Sequence, residues 1–390
     1  MKIFLMLLSL SVFSIVVWIV VPAPHAFLWL LSIGGGEWSL WFAVLSFLII
    51  AASILALIFT GEKTFLASAI ISIFSLAISL YPLFSSLKVA KENNVELSLN
   101  EYFSALKFND PPQNFTTHSF ATVDGQELKL DVFAPQIINE NNGAAIISVH
   151  GGGWNARPRN DFPQWNAWLA ANGFTVFDID YRLAPQPNYL TATADVKCAV
   201  LWIKEHADEF KISPDRVALY GRSAGAHLAL LAAYSAGDKN LSPSCQNNNQ
   251  TENVRAVVSF YAPIELFWAY DNPANQRVLD GPKTLSDFLG GDPHSSGEIK
   301  NRFTLATPTA HISPETPPTL FIHGGKDQLV REENMQFADE KLTQNNIAHK
   351  TIFIPYAQHG FDFNIHGIGS QIVKPVMLEF LSETTKNRES

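Results

Sequence analysis

Over its first ninety residues the chain carries three long runs with almost no polar interruption, at residues 3–21, 38–60 and 64–87. Each approaches or exceeds the roughly 20 apolar residues a helix needs to cross a bilayer. One such run alone is equally compatible with a buried core helix. Three in succession, divided by short polar breaks such as Gly61-Glu62-Lys63, predict three transmembrane helices. The first run also fits a signal peptide, since Lys2 precedes it and Ala23 and Ala26 follow; its removal would still leave two spans. Residues 26–36 are apolar but too short to cross independently.

At residue 91 the pattern changes. Residues 91–112 are polar and charged, as a linker is, and Ser98 with Glu101 offers a capping box ahead of Leu99, Tyr102, Phe103 and Leu106 at helical spacing. A short amphipathic helix is expected there. From residue 114 onward short apolar runs alternate with helical periodicity. Strands are expected at 115–123, 127–133, 144–149, 174–179, 217–220, 254–260, 319–322 and 351–354, with Asp124-Gly125 as a hairpin turn. Helices are expected at 163–171, 191–207, 224–234 and 332–342. Such alternation predicts an α/β fold, a mainly parallel sheet with helices on both faces. The organisation expected is therefore a membrane segment at 1–90, a linker at 91–113 and a catalytic domain at 114–390.

Composition narrows the partners. A formal net charge of −9 with only 16% charged residues leaves no basic footprint for nucleic acid. The partners expected are the lipid bilayer and a small-molecule or lipid substrate; the oligomeric state stays open. Lys2 and the α-amino group favour an N-terminus inside the cell, which with three spans puts the C-terminal domain on the non-cytoplasmic side. Lys88 and Lys91, just after the third span, argue the other way. Two cysteines, Cys198 and Cys245, permit one disulfide or two free thiols.

The chemistry-bearing residues fall where a parallel sheet would expose them, just after strands. Gly221-Arg222-Ser223-Ala224-Gly225 joins a short strand to an apolar helix. In that context Gly-x-Ser-x-Gly is a nucleophile elbow, a turn too tight for side chains that lifts the serine hydroxyl clear of the sheet. His150-Gly151-Gly152-Gly153-Trp154 follows the strand at 144–149, and backbone N–H groups in a glycine loop can approach an oxyanion closely. Asp327 follows the strand at 319–322, and His359-Gly360-Phe361 follows the last strand. Acyl transfer needs a base for the serine proton and a carboxylate to orient that base, here in the chain order Ser, Asp, His.

On these motifs the region from about residue 115 resembles the α/β-hydrolase fold, and more narrowly its hormone-sensitive-lipase-like and acetyl-esterase branch. Asp180-Tyr181-Arg182-Leu183-Ala184-Pro185 and Asp215-Arg216 are similar to further signatures of that branch. The three apolar runs lie outside the resemblance. It implies Ser223 as nucleophile, His359 as general base and then acid, Asp327 as orienting carboxylate, and Gly152, Gly153 and Ala224 as oxyanion donors, with Gly151 or Trp154 able to replace a loop donor. Asp180, Arg182 and Asp195 are expected to brace the loop beneath the site, and His227 and His323 to pack. Trp154 and Trp268 are the candidates for substrate contact. The aromatic residues of 261–303 (Phe267, Trp268, Tyr270 and Phe288) either wall the acyl pocket or form a small core. The activity implied is that of a serine carboxylesterase for short or medium acyl esters, needing no metal or organic cofactor, and the three apolar runs add the expectation that it is membrane-anchored. An amidase, formamidase or lipase on the same triad, and an inactive membrane receptor or scaffold, are the alternatives.

Overall fold

The structure, a computed structural model, describes residues 2–104, 114–245 and 250–386. Four helices lead: α1 (Lys2–Val16), α2 (Ala26–Glu37), α3 (Ser39–Thr60) and α4 (Lys63–Glu92). Three segments, Lys2–Ile19, Ser39–Thr60 and Lys63–Glu92, are long and apolar enough to cross a membrane. The first departs from the expected continuous helix: after Val16 it tightens into a 3₁₀ turn at Val17–Ile19, ahead of Pro22 and Pro24. Residues 26–37 form a helix of 12 residues that does not span. At 30 residues α4 is about 45 Å long, beyond the roughly 30 Å of a hydrocarbon core.

The faces of these helices are inverted relative to a water-soluble bundle. On α4 the buried positions include Ser68, Ser72, Ser75, Ser79 and Ser86, whereas Ile70, Ile73, Phe74 and Phe84 point outward. Small residues inward let helix backbones approach, and large apolar residues outward suit a lipid surround. Ser53 Oγ donates to Ser68 Oγ at 3.1 Å across α3 and α4, and Ser68 Oγ donates to the Leu5 carbonyl at 3.2 Å.

The linker contains α5 (Leu99–Ser104), capped by Ser98 Oγ accepting from the Glu101 N–H at 3.1 Å. Residues 105–113, Leu106 of the expected helix among them, lie outside the described residues. Tyr102 is buried, donating its hydroxyl hydrogen to the Glu37 carbonyl at 2.8 Å and accepting from the Leu40 N–H at 3.1 Å. The linker helix thus clamps the junction of α2 and α3.

Eight strands form one sheet: β1 (Phe115–Val123), β2 (Gln126–Phe133), β3 (Ala145–Val149), β4 (Thr175–Ile179), β5 (Val217–Arg222), β6 (Val257–Phe260), β7 (Thr319–Gly324) and β8 (His349–Ile354). Their order is β1-β2-β4-β3-β5-β6-β7-β8, with β1 and β2 antiparallel and β3 to β8 parallel. Asp124 (φ 52°) and Gly125 (φ 78°) are both left-handed, the backbone a two-residue hairpin requires. The connecting helices are α6 (Pro163–Ala171), α7 (Tyr189–Glu205), α8 (Ala207–Phe210), α9 (Ala224–Tyr234), α10 (Leu266–Asp271), α11 (Gly281–Leu289), α12 (Gly297–Ala306), α13 (Glu333–Gln344) and α14 (Ile368–Thr384). One core lies between the sheet and α7, α9 and α13. The other lies between the sheet, α6 and α14, and it takes in Leu40, Ala90 and Tyr102 from the N-terminal part. Cys198 and Cys245 form a disulfide, resolving the two readings left open by the sequence.

Candidate active site

Parallel strands bring their carboxyl ends to one edge, and the three triad candidates sit there at the turn after β5 and the loops after β7 and β8. Ser223 follows the last residue of β5 and precedes α9 with φ 52° and ψ −122°, a backbone conformation that costs strain in any residue but glycine. Two glycines make that turn feasible. A Cβ on Gly221 would lie 2.5 Å from the Gly225 carbonyl oxygen, and one on Gly225 would lie 2.2 Å from that of Val149. Ser223 Oγ donates to His359 Nε2 at 2.9 Å, and His359 Nδ1 donates to Asp327 Oδ2 at 2.7 Å. The second carboxylate oxygen, Asp327 Oδ1, accepts the N–H groups of Leu329 (2.8 Å) and Val330 (3.0 Å). Burial alone would push the Asp327 carboxyl up, but the facing His359 imidazole and these donors outweigh it and hold it below the usual carboxylate range. A hydroxyl, imidazole and carboxylate so connected can pass the hydroxyl proton to the ring.

The glycine loop faces the serine. A Cβ on Gly151 would be 3.5 Å from Ser223 Cβ, and one on Gly152 (φ 107°) would be 2.2 Å from the Ala156 carbonyl oxygen. Among the described residues, the Gly152 and Gly153 N–H groups donate no hydrogen bond, and both glycines, with Ala224, line the same cavity as Ser223 and His359. Trp154 also touches that cavity, but its ring is buried: it stacks on Phe288 at 4.2 Å and donates its Nε1 hydrogen to His227 Nδ1 at 3.2 Å. It anchors the loop more than it meets a ligand. His227 in turn donates from Nε2 to the Ala306 carbonyl at 2.8 Å, and burial pushes its pKa down to about 4, so the ring is a neutral strut. His323, expected to pack, is wholly buried and donates Nε2 to the Val330 carbonyl at 3.0 Å.

Trp268 is a correction. It does not line the cavity; α10 turns Ala269 toward it, and the Trp268 ring packs on Phe337 of α13 at 5.1 Å and beneath Arg331. The aromatic candidates of the insertion pack as a core, and none of Phe267, Trp268, Tyr270 and Phe288 lines the cavity, whose wall comes from other residues of the insertion. Its rings Phe267, Tyr270 and Phe303 form a small core, whereas Pro273, Leu279 and Leu285 wall the cavity. Arg182 grips Asp195 through Nε and Nη2 (2.7–3.0 Å) and reaches Asp124, while Asp180 pairs with Arg159 at 2.8 Å.

Two contributions were not found from the sequence. Asp362 is fully buried, accepts Arg222 Nε at 2.5 Å and the Tyr261 hydroxyl at 2.6 Å, and so ties the elbow to the loop bearing His359. Tyr261 lies 4.3 Å from the His359 ring. The signal available was an acid three residues after the histidine and an arginine one before the serine. The other contribution is from α2: Trp29, Leu30, Ile33 and Gly34, with Trp38, line the cavity of about 720 Å³. Among the described residues no cluster of His, Cys, Asp or Glu is disposed to hold a metal ion.

An eight-stranded sheet of this order, with a strained serine at the turn from β5 into its helix, defines an α/β hydrolase. The chain belongs to the BD-FAE family, whose sequence model matches residues 130–342. Among characterised proteins it is similar to esterase LipQ of Mycobacterium tuberculosis, 28% identical over 263 residues, covering 66% of this chain and 59% of LipQ. It is also similar to esterase LipC of the same organism, 28% identical over 265 residues, covering 66% and 63%. The chain thus spans about three fifths of the length of these relatives. In three dimensions it is similar to the esterase Est2 of Thermogutta terrifontis, with a TM-score of 0.56 and 23% identity over 70% of this chain and 93% of that one. The same esterase phosphonylated by sarin gives a TM-score of 0.58 and 23% identity over 72% and 98%. At that identity the likeness is one of fold.

Proposed function

We propose that the protein is a membrane-anchored serine hydrolase that cleaves carboxylic esters through an acyl-enzyme. The observation that carries this reading is the unbroken hydrogen-bond chain from Ser223 through His359 to Asp327 at the floor of an apolar cavity. Its similarity to two proteins named esterases supports the choice of ester. Ser223 Oγ attacks the ester carbonyl as its proton passes to His359 Nε2. The oxyanion is met by the N–H groups of Gly152, Gly153 and Ala224, the last at the positive end of α9. The alcohol leaves with the proton held by His359, and a water deprotonated by the same ring releases the acyl group. Asp327 keeps the proton of the resting ring on Nδ1.

Anchoring rests on the three long apolar helices and their serine-inward, isoleucine-outward faces. A hydrolase domain on the non-cytoplasmic side is supported by the disulfide, since such bonds persist in oxidising compartments.

The test is labelling of the full-length protein in detergent by a fluorophosphonate, with turnover of p-nitrophenyl acetate and of an N-formyl aromatic amine. Expected are one label, on Ser223, ester turnover well above amide turnover, and a fall of about 10⁴-fold or more in ester turnover for Ser223→Ala with unchanged thermal unfolding. A folded protein that neither labels nor hydrolyses esters overturns the reading in favour of an inactive receptor or scaffold.

A further inference from the structure

The helix α2 belongs by sequence to the membrane segment, yet it forms one wall of the cavity above Ser223. Its outer edge is apolar and open: Phe27 is 64% exposed and Leu30 57% exposed. Leu30 lines the cavity while being exposed, and so does Leu279 at 40%, so the α2 side of the mouth has a hydrophobic rim, while Asn155 and Arg157, also exposed, line the cavity from the glycine loop. Residues 20–36 carry no Asp, Glu, Lys or Arg. In water such a rim would stand as an unsatisfied apolar patch. Its place in the chain removes that difficulty, because α2 connects the first apolar span to the second at the end where the hydrolase domain sits. That end is fixed by the chain itself: Lys2 pairs with Glu62 at 2.8 Å at the far end of the bundle, while Tyr102 and Asn364 both bond the Glu37 carbonyl at the near end.

The helix is also fastened to the catalytic loop. The Glu37 side chain, wholly buried, accepts the Tyr356 hydroxyl at 2.9 Å, and Trp38 meets Phe363 edge-on at 5.1 Å. Both partners flank His359 in the chain. The wall is therefore a fixed part of the site.

We propose that α2 lies in the membrane interface as the threshold of the active site, and that the substrate is a lipophilic ester dissolved in the bilayer, which slides past Leu30 with its apolar arm against Trp29 and Ile33 and its ester at Ser223. This rests on the hydrolase reading above and names the substrate class for the same site. The ester belongs either to the membrane's own lipids or to a lipophile partitioned among them; the chemistry recognised is shared.

The experiment uses the full-length protein in vesicles of a diether phosphatidylcholine, which cannot itself be cleaved at an acyl ester. Vesicles are doped with p-nitrophenyl decanoate, and p-nitrophenyl acetate is supplied in water. Wild-type kcat/KM is expected to favour decanoate by tenfold or more, and this preference to fall about tenfold in Leu30→Ala with Trp29→Ala. A parallel arm with diester phosphatidylcholine and no added ester reads free fatty acid: its release assigns the bilayer's own lipid, and its absence with decanoate cleaved assigns a partitioned lipophile. Acetate cleaved as well as decanoate, with the ratio untouched by the variants, overturns the proposal and leaves the esterase standing. If Ser223 fails to label and neither ester is cleaved, the hydrolase reading falls first.

Discussion

The residue whose neighbours decide most is Asp362, because a fully buried carboxylate and guanidinium hold each other between the elbow and the histidine loop. Arg222 has aromatic rings around it, Phe162 at 4.1 Å and Tyr220 at 4.6 Å, so a lost counter-charge has no water to replace it. Asp362→Asn is expected to cost about 3–5 kcal/mol of stability. It should also slow fluorophosphonate labelling, since Tyr261 would lose its charged acceptor beside His359; thermal unfolding and labelling rates check both. A second buried acid makes a pH prediction. Burial pushes Asp178 on β4 up to about 7, with Asp131 opposite it on β2 adding to the rise. Between pH 4 and pH 7 the folded state then holds a proton that the unfolded chain has released, so stability falls as pH rises through that window and levels off above it. From pH 5 to pH 7 the loss is up to about 3 kcal/mol. Asp178→Asn should flatten this dependence in denaturant unfolding at pH 5, 6, 7 and 8; an identical slope in the variant would exclude Asp178 as its source.

At the scale of elements, the long apolar N-terminal helices and the hydrolase domain pack by opposite rules, and the same chain obeys both. In α7 and α9 the large apolar residues point to the sheet, whereas in α4 the serines point inward. Ser68 has no exposed surface and bonds both Ser53 and Leu5. Ser68→Leu should therefore force α1, α3 and α4 apart at a cost of about 1–3 kcal/mol, seen as a lower melting temperature in detergent. Elements of this kind were legible in the sequence because periodicity and turn chemistry are local. The hairpin at Asp124-Gly125, the helices at Pro163–Ala171 and Ala224–Tyr234, and the strand residues ahead of Ser223 all fall where the pattern puts them. Which way a helix faces is not local. Trp268 turns to α13 instead of the cavity because Phe337, far along the chain, supplies its partner. Likewise α2 reads as a fragment too short to span, and only the packed structure makes it a wall of the site. The cysteine pair was permitted by the sequence and decided by tertiary placement, which brings residue 245 back onto α7.

At the scale of the whole molecule, the three crossings of the proposed anchor would put Lys2 and the hydrolase domain on opposite faces of the membrane. Lys2 and Glu62 meet at one end of the bundle, and α2, α5 and the sheet gather at the other. Cations at the N-terminus are retained on the cytoplasmic face, and a disulfide is kept where thiols are oxidised; both considerations favour the outside location proposed for the hydrolase domain. Lys88 and Lys91, at the end of α4, oppose this, and the experiment decides between the two. In intact cells, protease added outside should therefore cut the hydrolase domain while an N-terminal tag stays protected. Cys198 and Cys245 should resist a maleimide in the unfolded protein until a reductant is added. A protected domain with freely reacting thiols would reverse the assignment, and because α2 moves with the domain it would put the mouth of the cavity against the inner leaflet.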